Sequence, residues 1–166
     1  MAQFCGMSAA SDTLVEPSVN LDRRLVFRLL GHWRDLILHG DFPSFANLDP
    51  SEIADVWPFC FALDTTEFAD DPIIRVAEPA VAAGADDFIG RHVSDLPGST
   101  LLGHACSYAQ EVLRKRVPVS RGGTIARPDG TRILYRSILL PMSDDGHTIC
   151  GLLGAANFRE VEVTEP

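Results

Sequence analysis

The stretch RPDGTRILYRSILLPMSDDGHTICGLLGAANF, residues 127–158, decides the fold because two Asp-Gly pairs divide it into runs typical of β-strands. Asp129-Gly130 and Asp145-Gly146 each lie between runs of apolar residues. Glycine reaches positive φ without a steric penalty, so Asp-Gly between such runs is a strong hairpin signal. With the preceding run VPVSRGGTIA, the stretch predicts a three-stranded antiparallel meander, and Gly122-Gly123 predicts a bulge in its first strand.

Two segments upstream of the meander have helical periodicity. Residues 21–39 repeat apolar side chains at intervals of three and four, and Gly40 is the expected end of this helix. Residues 98–116 predict a second long helix, with a broad apolar face. The apolar stripe of the first helix is heptad-like, so two alternatives stay open: it folds back on its own domain, or it packs against a second copy. In the second case the dimer interface consists of Val26, Leu30, Trp33 and Ile37.

Two further strands are predicted between these helices, at residues 57–65 and in the run DPIIRVAEPA. The element order predicts an α+β fold, with a five-stranded antiparallel sheet, helices on one face and a preceding N-terminal amphipathic helix. Residues 1–20 are small, polar and aperiodic and predict a flexible segment. Residues 21–160 then form a single domain, and residues 161–166 a C-terminal tail.

The composition fits one cytoplasmic domain with a sizeable core. The 166 residues are 46% hydrophobic, but no apolar run approaches a membrane span and nothing resembles a signal peptide. The four cysteines form no CxxC pair or zinc spacing, so we expect reduced thiols and no metal site. A net charge of −9 argues against nucleic-acid partners.

The charges are segregated along the chain. Between Asp41 and Asp95 there are twelve acidic residues against two arginines. Between Val112 and Leu140 there are six arginines and one lysine against Asp129 alone. The default interpretation is that these blocks face water or each other, but such blocks also steer partners.

Six pieces of sequence share their order with a known family: LLGHWRDL, LDPSEIADVWPFCFALD, IIRVAEPAV, DDFIGRHVSDLPGS, LLPMSDDG and GLLGA. In these pieces, across about residues 29–156, the chain resembles compact bacterial PAS-fold proteins that begin with a Trp-containing helix. Ala77-Glu78 is a departure, because a glycine is usual there. The resemblance implies a module for sensing or protein interaction in signal transduction, and not a particular reaction.

The sequence offers no active site. It contains no G-x-S-x-G, H-E-x-x-H or G-x-G-x-x-G motif, so we expect no enzyme and name no catalytic residue. The flavin photoreceptors of the resembled family carry an Asn-Cys-Arg-Phe-Leu motif, and this chain has no such motif. We therefore expect no light sensing through a flavin-cysteine adduct.

One histidine, His104, is a candidate ligand for a haem cofactor. His104 lies in the second helix, fourteen residues before Pro118, nearly where haem-binding members of the resembled family carry an axial histidine. An imidazole in an apolar pocket suits haem iron. A lone histidine on an apolar helix is more often a packing residue, so we expect no cofactor and keep haem as the alternative.

A small organic ligand is the remaining alternative. The resemblance implies a pocket between the sheet and the helices, although the same residues also suffice to fill a core. Its predicted lining is Phe59, Phe61, Phe88, Leu101, Ala105, Tyr135, Leu139 and Leu153.

Two hypotheses follow. In the first, the chain is a cytoplasmic module that acts by forming a homodimer or by binding a signalling protein. In the second, it is a sensor that binds haem or a small molecule in the pocket.

Overall fold

The computed structural model describes residues 23–83 and 85–161. The predicted flexible segment, residues 1–20, lies outside the described residues. The predicted tail also lies outside them, except for Val161, which is the last residue of the final strand. None of the described helices is long and apolar enough to cross a membrane.

Five strands form one antiparallel sheet, as the sequence predicts. The strand order across the sheet is β2-β1-β5-β4-β3, so β2 and β3 are the two edges. The strands are β1 (Cys60–Asp64), β2 (Ile73–Ala77), β3 (Val119–Ala126), β4 (Arg132–Ser143) and β5 (Ile149–Val161). The two Asp-Gly pairs lie between β3 and β4 and between β4 and β5, with Gly130 and Gly146 at positive φ.

The helices are shorter than predicted. Within the described residues, helix α1 spans residues 23–35 and ends before the predicted residue 39, because Ile37 donates its N–H to Arg34 O, only three residues back. The predicted start at residue 21 lies outside the described residues. The second predicted helix, residues 98–116, is two helices. Ser107 ends the first of them by donating both its N–H and its hydroxyl to His104 O. The described helices after α1 are α2 (Pro79–Ala82), α3 (Leu101–Cys106) and α4 (Ala109–Lys115).

Two details of the strands also differ from the predictions. Residues 57–59 form a 3-10 turn, so β1 begins at Cys60. The pair Gly122-Gly123 makes no bulge, since β3 pairs with β4 without a register shift. A Cβ at Gly123 would lie 3.2 Å from Tyr135 Cε1, so this glycine makes room for the tyrosine ring. The irregularities lie elsewhere, between Ala62 and Leu63 and between Met142 and Ser143.

The central strands β4 and β5 are buried on both faces. Residues 137–143 of β4 and 151–157 of β5 are buried without interruption. Alternate side chains therefore feed two separate apolar clusters. Helices α2–α4 cover one face, here called the inner face, and α1 together with the segment at residues 42–59 covers the other, the outer face.

Helix α1 packs on the sheet of its own chain. The Trp33 indole donates to Pro141 O over 2.8 Å, and Val26 and Leu29 pack with Ile138 and Leu153. Val26 and Trp33 are thus buried within one chain, and Leu30 and Ile37 are partly buried against the same cluster. This differs from the predicted interface of Val26, Leu30, Trp33 and Ile37 between two chains. The outer sheet face needs an apolar cover, and α1 supplies part of it in cis.

The turn between β4 and β5 joins three parts of the fold. Gly146 O accepts N–H groups from Asp41 and Phe42, which follow α1. Arg116, the residue after α4, donates to His147 O over 2.6 Å. Asp145 Oδ1 holds the turn itself by accepting from Ser143 Oγ and from the N–H groups of His147 and Thr148.

Replacing the docking tryptophan tests the contacts of α1. We expect Trp33→Ala to lower the free energy of unfolding by about 3–5 kcal/mol, because a large buried side chain is lost. The control is Phe27→Ala on the opposite side of α1, where the ring is 68% exposed, and we expect a change within about 0.5 kcal/mol. Urea unfolding measures both variants. Equal effects of the two substitutions would contradict the docking of α1 through Trp33.

Asp145, in the turn between β4 and β5, makes the free energy of unfolding depend on pH. Hydrogen bonds from the N–H groups of Thr148 and His147 hold the pKa of Asp145 well below its usual value of 3.8. Its contribution is therefore present above pH 3.8 and is lost as the pH falls towards the folded-state pKa. We expect Asp145→Asn to be less stable than the native protein at neutral pH, with the difference shrinking in acid. Urea unfolding across this pH range measures it, and a pH-independent difference would contradict the assignment.

Candidate functional site

The space between the inner sheet face and α2–α4 is where the sequence predicts a ligand pocket. Side chains two residues apart on a strand share a face, and strand register sets the neighbours across the sheet. Phe61 of β1 pairs with Gly154 of β5, and Gly154 pairs with Leu139 of β4. Helices α3 and α4 close the space with Leu101, Leu102, Ala105, Ala109 and Val112.

Side chains fill this inner space. The Phe61 ring lies where a side chain at position 154 would be, and a Cβ added at Gly154 would collide with it. The following residues have a relative exposure of 0%, so no water-sized space adjoins them: Phe61, Leu102, Ala105, Val112, Leu139, Leu152 and Ala156. The inner space is therefore packed as a core.

Most of the predicted pocket residues face this inner space, but two do not. Phe61, Leu101, Ala105 and Leu139 belong to the inner cluster, and Phe88 and Tyr135 pack against it. Phe59 and Leu153, in contrast, lie on the outer face with the residues under α1. Leu153 pairs with Leu140 across β4 and β5, whereas Leu152 is the inner residue. A shift of one residue along a strand moves a side chain to the other face.

A polar line crosses the inner face near β3. The Tyr108 hydroxyl lies 2.7 Å from Ser137 Oγ, and Ser137 Oγ donates to Arg121 O over 3.2 Å. The tyrosine therefore donates to the serine. Burial raises the pKa of the Tyr108 phenol, so this hydroxyl stays protonated. The Arg121 guanidinium lies 5.9 Å from the centroid of the Tyr108 ring and forms an ion pair with Glu111.

Sequence reasoning missed this polar line, although one signal was available. Ser137 lies two residues from both Tyr135 and Leu139 on β4 and therefore shares their face. A serine on an inward face needs a buried partner. That partner is Tyr108, which precedes α4 at the break in the predicted helix.

His104 lies on α3, half-buried, with its ring 5.4 Å from the ring of Tyr135. A haem needs an open apolar space beside the imidazole. The neighbours on α3, Leu102 and Ala105, leave no such space, and neither does Leu139 on the sheet. The residues in this arrangement therefore do not fit a porphyrin. Within residues 23–83 and 85–161, no group of three or more His, Cys, Asp or Glu is placed to hold a metal ion.

A second concavity of about 370 Å³ lies on the outer face beside β1 and β2. Two of its charged groups pair with each other, since Arg75 donates to Asp64 Oδ2 over 3.0 Å. The third, Asp144, lies 3.5 Å from the Ser44 hydroxyl. Cys150 lies in its wall, and burial raises the pKa of this thiol, which makes it a poor nucleophile. The concavity therefore combines a paired Arg75 and Asp64 with one carboxylate, Asp144, that has no ion pair to a described residue.

Comparison with protein families finds one model, described as a PAS domain, that matches residues 23–157. No curated protein sequence matches the chain significantly.

Among solved structures, a light-oxygen-voltage domain studied with a flavin analogue is 13% identical with a TM-score of 0.47, covering 68% of this chain and 84% of that chain. The Vibrio cholerae protein VqmA is 17% identical with a TM-score of 0.47, covering 68% of this chain and 52% of VqmA. The light-oxygen-voltage domain of the Erythrobacter litoralis histidine kinase EL346 is 14% identical with a TM-score of 0.43, covering 61% and 95%.

The packing of Phe61 over Gly154 is open to a direct test. We expect Gly154→Ala to lower the free energy of unfolding by about 1–3 kcal/mol, because the added methyl group overpacks the core. Adding Phe61→Leu should recover part of this loss, since the shorter side chain vacates the contested space. Gly31→Ala is the control, because a Cβ at that position on α1 meets no atom within 4 Å. Urea unfolding measures all four proteins, and a neutral Gly154→Ala would show that space exists beside Phe61.

Proposed function

This chain belongs to the PAS domain family, and on that basis we propose that it is a non-catalytic signalling module that works by binding a partner protein in the cytoplasm. PAS domains are sensory and protein-interaction modules, and the surface, not a bound chromophore, is the working part in this proposal. The observation that carries it is the packed inner face, where Phe61 and its neighbours have no exposed surface.

The packed inner face supports association over cofactor sensing for a geometric reason. A bound organic cofactor replaces core side chains as the filling of its pocket, and pockets for such molecules enclose several hundred Å³. Here Phe61, Leu102 and Leu139 occupy that volume themselves. In a domain whose inner space is filled by its own side chains, the signal is transmitted through contacts at the surface.

The ligand-sensor hypothesis is the second candidate, and one observation favours it. His104 and Tyr135 are both half-buried, and their rings lie 5.4 Å apart at the margin of the inner cluster. Two adjacent rings with polar atoms offer a small molecule both stacking and hydrogen bonds. A ligand at this margin requires no displacement of Phe61.

A homodimer through the exposed side of α1 is less well supported than a different partner. That side carries Phe27 together with Arg23, Arg24 and Arg34 against one carboxylate, Asp35, all exposed. A twofold axis places the same patch of both copies face to face. Arginines would then oppose arginines, and like charges at close range cost free energy.

The absorption spectrum of the freshly purified protein tests the proposal. We expect protein absorbance alone, in the ultraviolet, and no visible band, because the inner face leaves no room for a chromophore. Added haemin should give the same spectrum with the native protein and with His104→Ala, which is the matched control. A sharp Soret band that is lost in His104→Ala would overturn the proposal in favour of a haem sensor.

A further inference from the structure

The two edges of the sheet differ, and the first half of the β2 edge is covered by another segment of the chain. Ile74 donates its N–H to Arg91 O over 2.9 Å, and Gly90 donates to Ile74 O over 2.7 Å. Val93 adds a bond to Pro72 O, and His92 forms an isolated bridge with Ile73. The outward backbone groups at the start of β2, at Ile74 and at the preceding Pro72, are therefore occupied by the segment at residues 90–93.

At β3 the edge is open. Arg127 donates its N–H to Thr131 O, which fixes the alternation of bonds along the β3–β4 ladder. The backbone groups of Ser120, Gly122 and Thr124 therefore point away from β4. Ser120 O accepts a long contact of 3.4 Å from the neighbouring Arg121 side chain. The N–H and C=O groups of Gly122 and Thr124 have no hydrogen-bond partner among the described residues.

Strand β3 has few of the features that shield a sheet edge, and its one charged residue, Arg121, is held by an ion pair with Glu111. Sheet edges are commonly protected by proline, by a bulge, by very short strands or by an inward-pointing charge. Strand β3 has eight residues without proline and without a register shift. Residues 120–124 are all exposed, and Gly122 carries no side chain that would hinder a second strand.

The surroundings of β3 indicate the charge of a partner. Arg136 pairs with Gly122 and Arg132 with Ala126, and both arginines are exposed without an ion pair to any described residue. Seven basic residues lie between Val112 and Leu140 against one acidic residue, Asp129. Pairing β3 of two copies would bring two such blocks together, so a second copy is disfavoured.

We propose that the β3 edge is a docking strand for an acidic, extended segment of a partner protein. The segment adds a sixth strand by hydrogen bonding to the backbone of Gly122 and Thr124, a known mode of peptide recognition. Its acidic side chains on the outer face interact with Arg136 and Arg132. This inference rests on the proposed function as an association module and identifies the chemistry of its partner.

The test uses the full chain and synthetic probes. The acidic probe is a short capped peptide that alternates Glu and Val, and the two control peptides replace Glu with Lys or methylate alternate backbone nitrogens. Amide shifts in nuclear magnetic resonance spectra locate binding, and a titration gives its strength. We expect the acidic probe to bind with shifts centred on Gly122 and Thr124, and neither control peptide to bind.

Matched variants distinguish the contribution of backbone hydrogen bonds to binding from the contribution of charge. Thr124→Pro removes an outward N–H, which an edge strand tolerates, and should abolish binding. Thr124→Val keeps the N–H and should leave binding unchanged. Arg136→Glu should weaken binding by about tenfold or more, because an attractive charge becomes repulsive. The control for charge is Arg34→Glu on α1, which should have no effect. If Thr124→Pro perturbs folding, Arg136→Glu and the methylated peptide decide the question.

Several results would overturn the docking strand. They are no binding of the acidic probe, equal binding of the Lys peptide, stronger binding of a single-stranded oligonucleotide at the same shifts, or a native dimer that Thr124→Pro dissociates. The proposed function has its own test: a visible chromophore overturns it, whatever the peptide does. Failure of the peptide in a protein without a chromophore overturns the docking strand alone.

Discussion

The burial of the β4–β5 hairpin on both faces is the constraint on which the rest of the structure depends. A sheet whose central pair alternates apolar side chains to two sides must be covered twice, because either face left in water loses the hydrophobic free energy of burial. Helices α2–α4 cover the inner face, and α1 together with the segment at residues 42–59 covers the outer face. Removing either layer exposes residues such as Leu139 or Leu140, both fully buried.

The two covers have different consequences for function. The inner cover is closed by the fit of the Phe61 ring over Gly154 and by the bond between Tyr108 and Ser137. This packing makes the inside of the domain a structural core. The outer cover consists of α1 and the segment at residues 42–59, and it is held by the Trp33 indole and by the turn at Gly146. The surface differs from both covers, since basic residues are concentrated between Val112 and Leu140, around β3.

Sequence patterns predicted the secondary-structure elements better than the tertiary contacts between them. The Asp-Gly pairs located the meander because the turn chemistry is local. The five-stranded antiparallel sheet followed from the element order. The break at Ser107 was missed because the apolar periodicity continues through it, whereas the helix ends through the bonds of Ser107 to His104 O. The bulge at Gly122-Gly123 was wrong because the glycine serves the Tyr135 ring across the ladder.

For the candidate site, too, the sequence patterns predicted the residue types better than their positions in the fold. Of the residues predicted to line one pocket, Phe61 and Leu139 lie on the inner face, whereas Phe59 and Leu153 lie on the outer face. The face of a side chain depends on the strand register, and the register depends on all the strands together. The helical stripe that contains Trp33 predicted an apolar partner. Its periodicity is the same whether that partner is another chain or the chain's own sheet, so only the tertiary structure distinguished the two.

The two Asp-Gly turns have the same dipeptide but unequal freedom to accept new sequence. A Cβ at Gly130 meets no atom within 4 Å, so the loop between β3 and β4 projects into open space. At Gly146 a Cβ would collide with the backbone after α1, and the neighbouring carbonyls already bind Asp41, Phe42 and Arg116. Exposed loop tips are where insertions and new termini are tolerated. A reporter or a circular permutation is therefore best placed at residues 129–130. The same insertion at residues 145–146 would disrupt the hydrogen bonds that connect this turn to the segment after α1 and to Arg116 after α4.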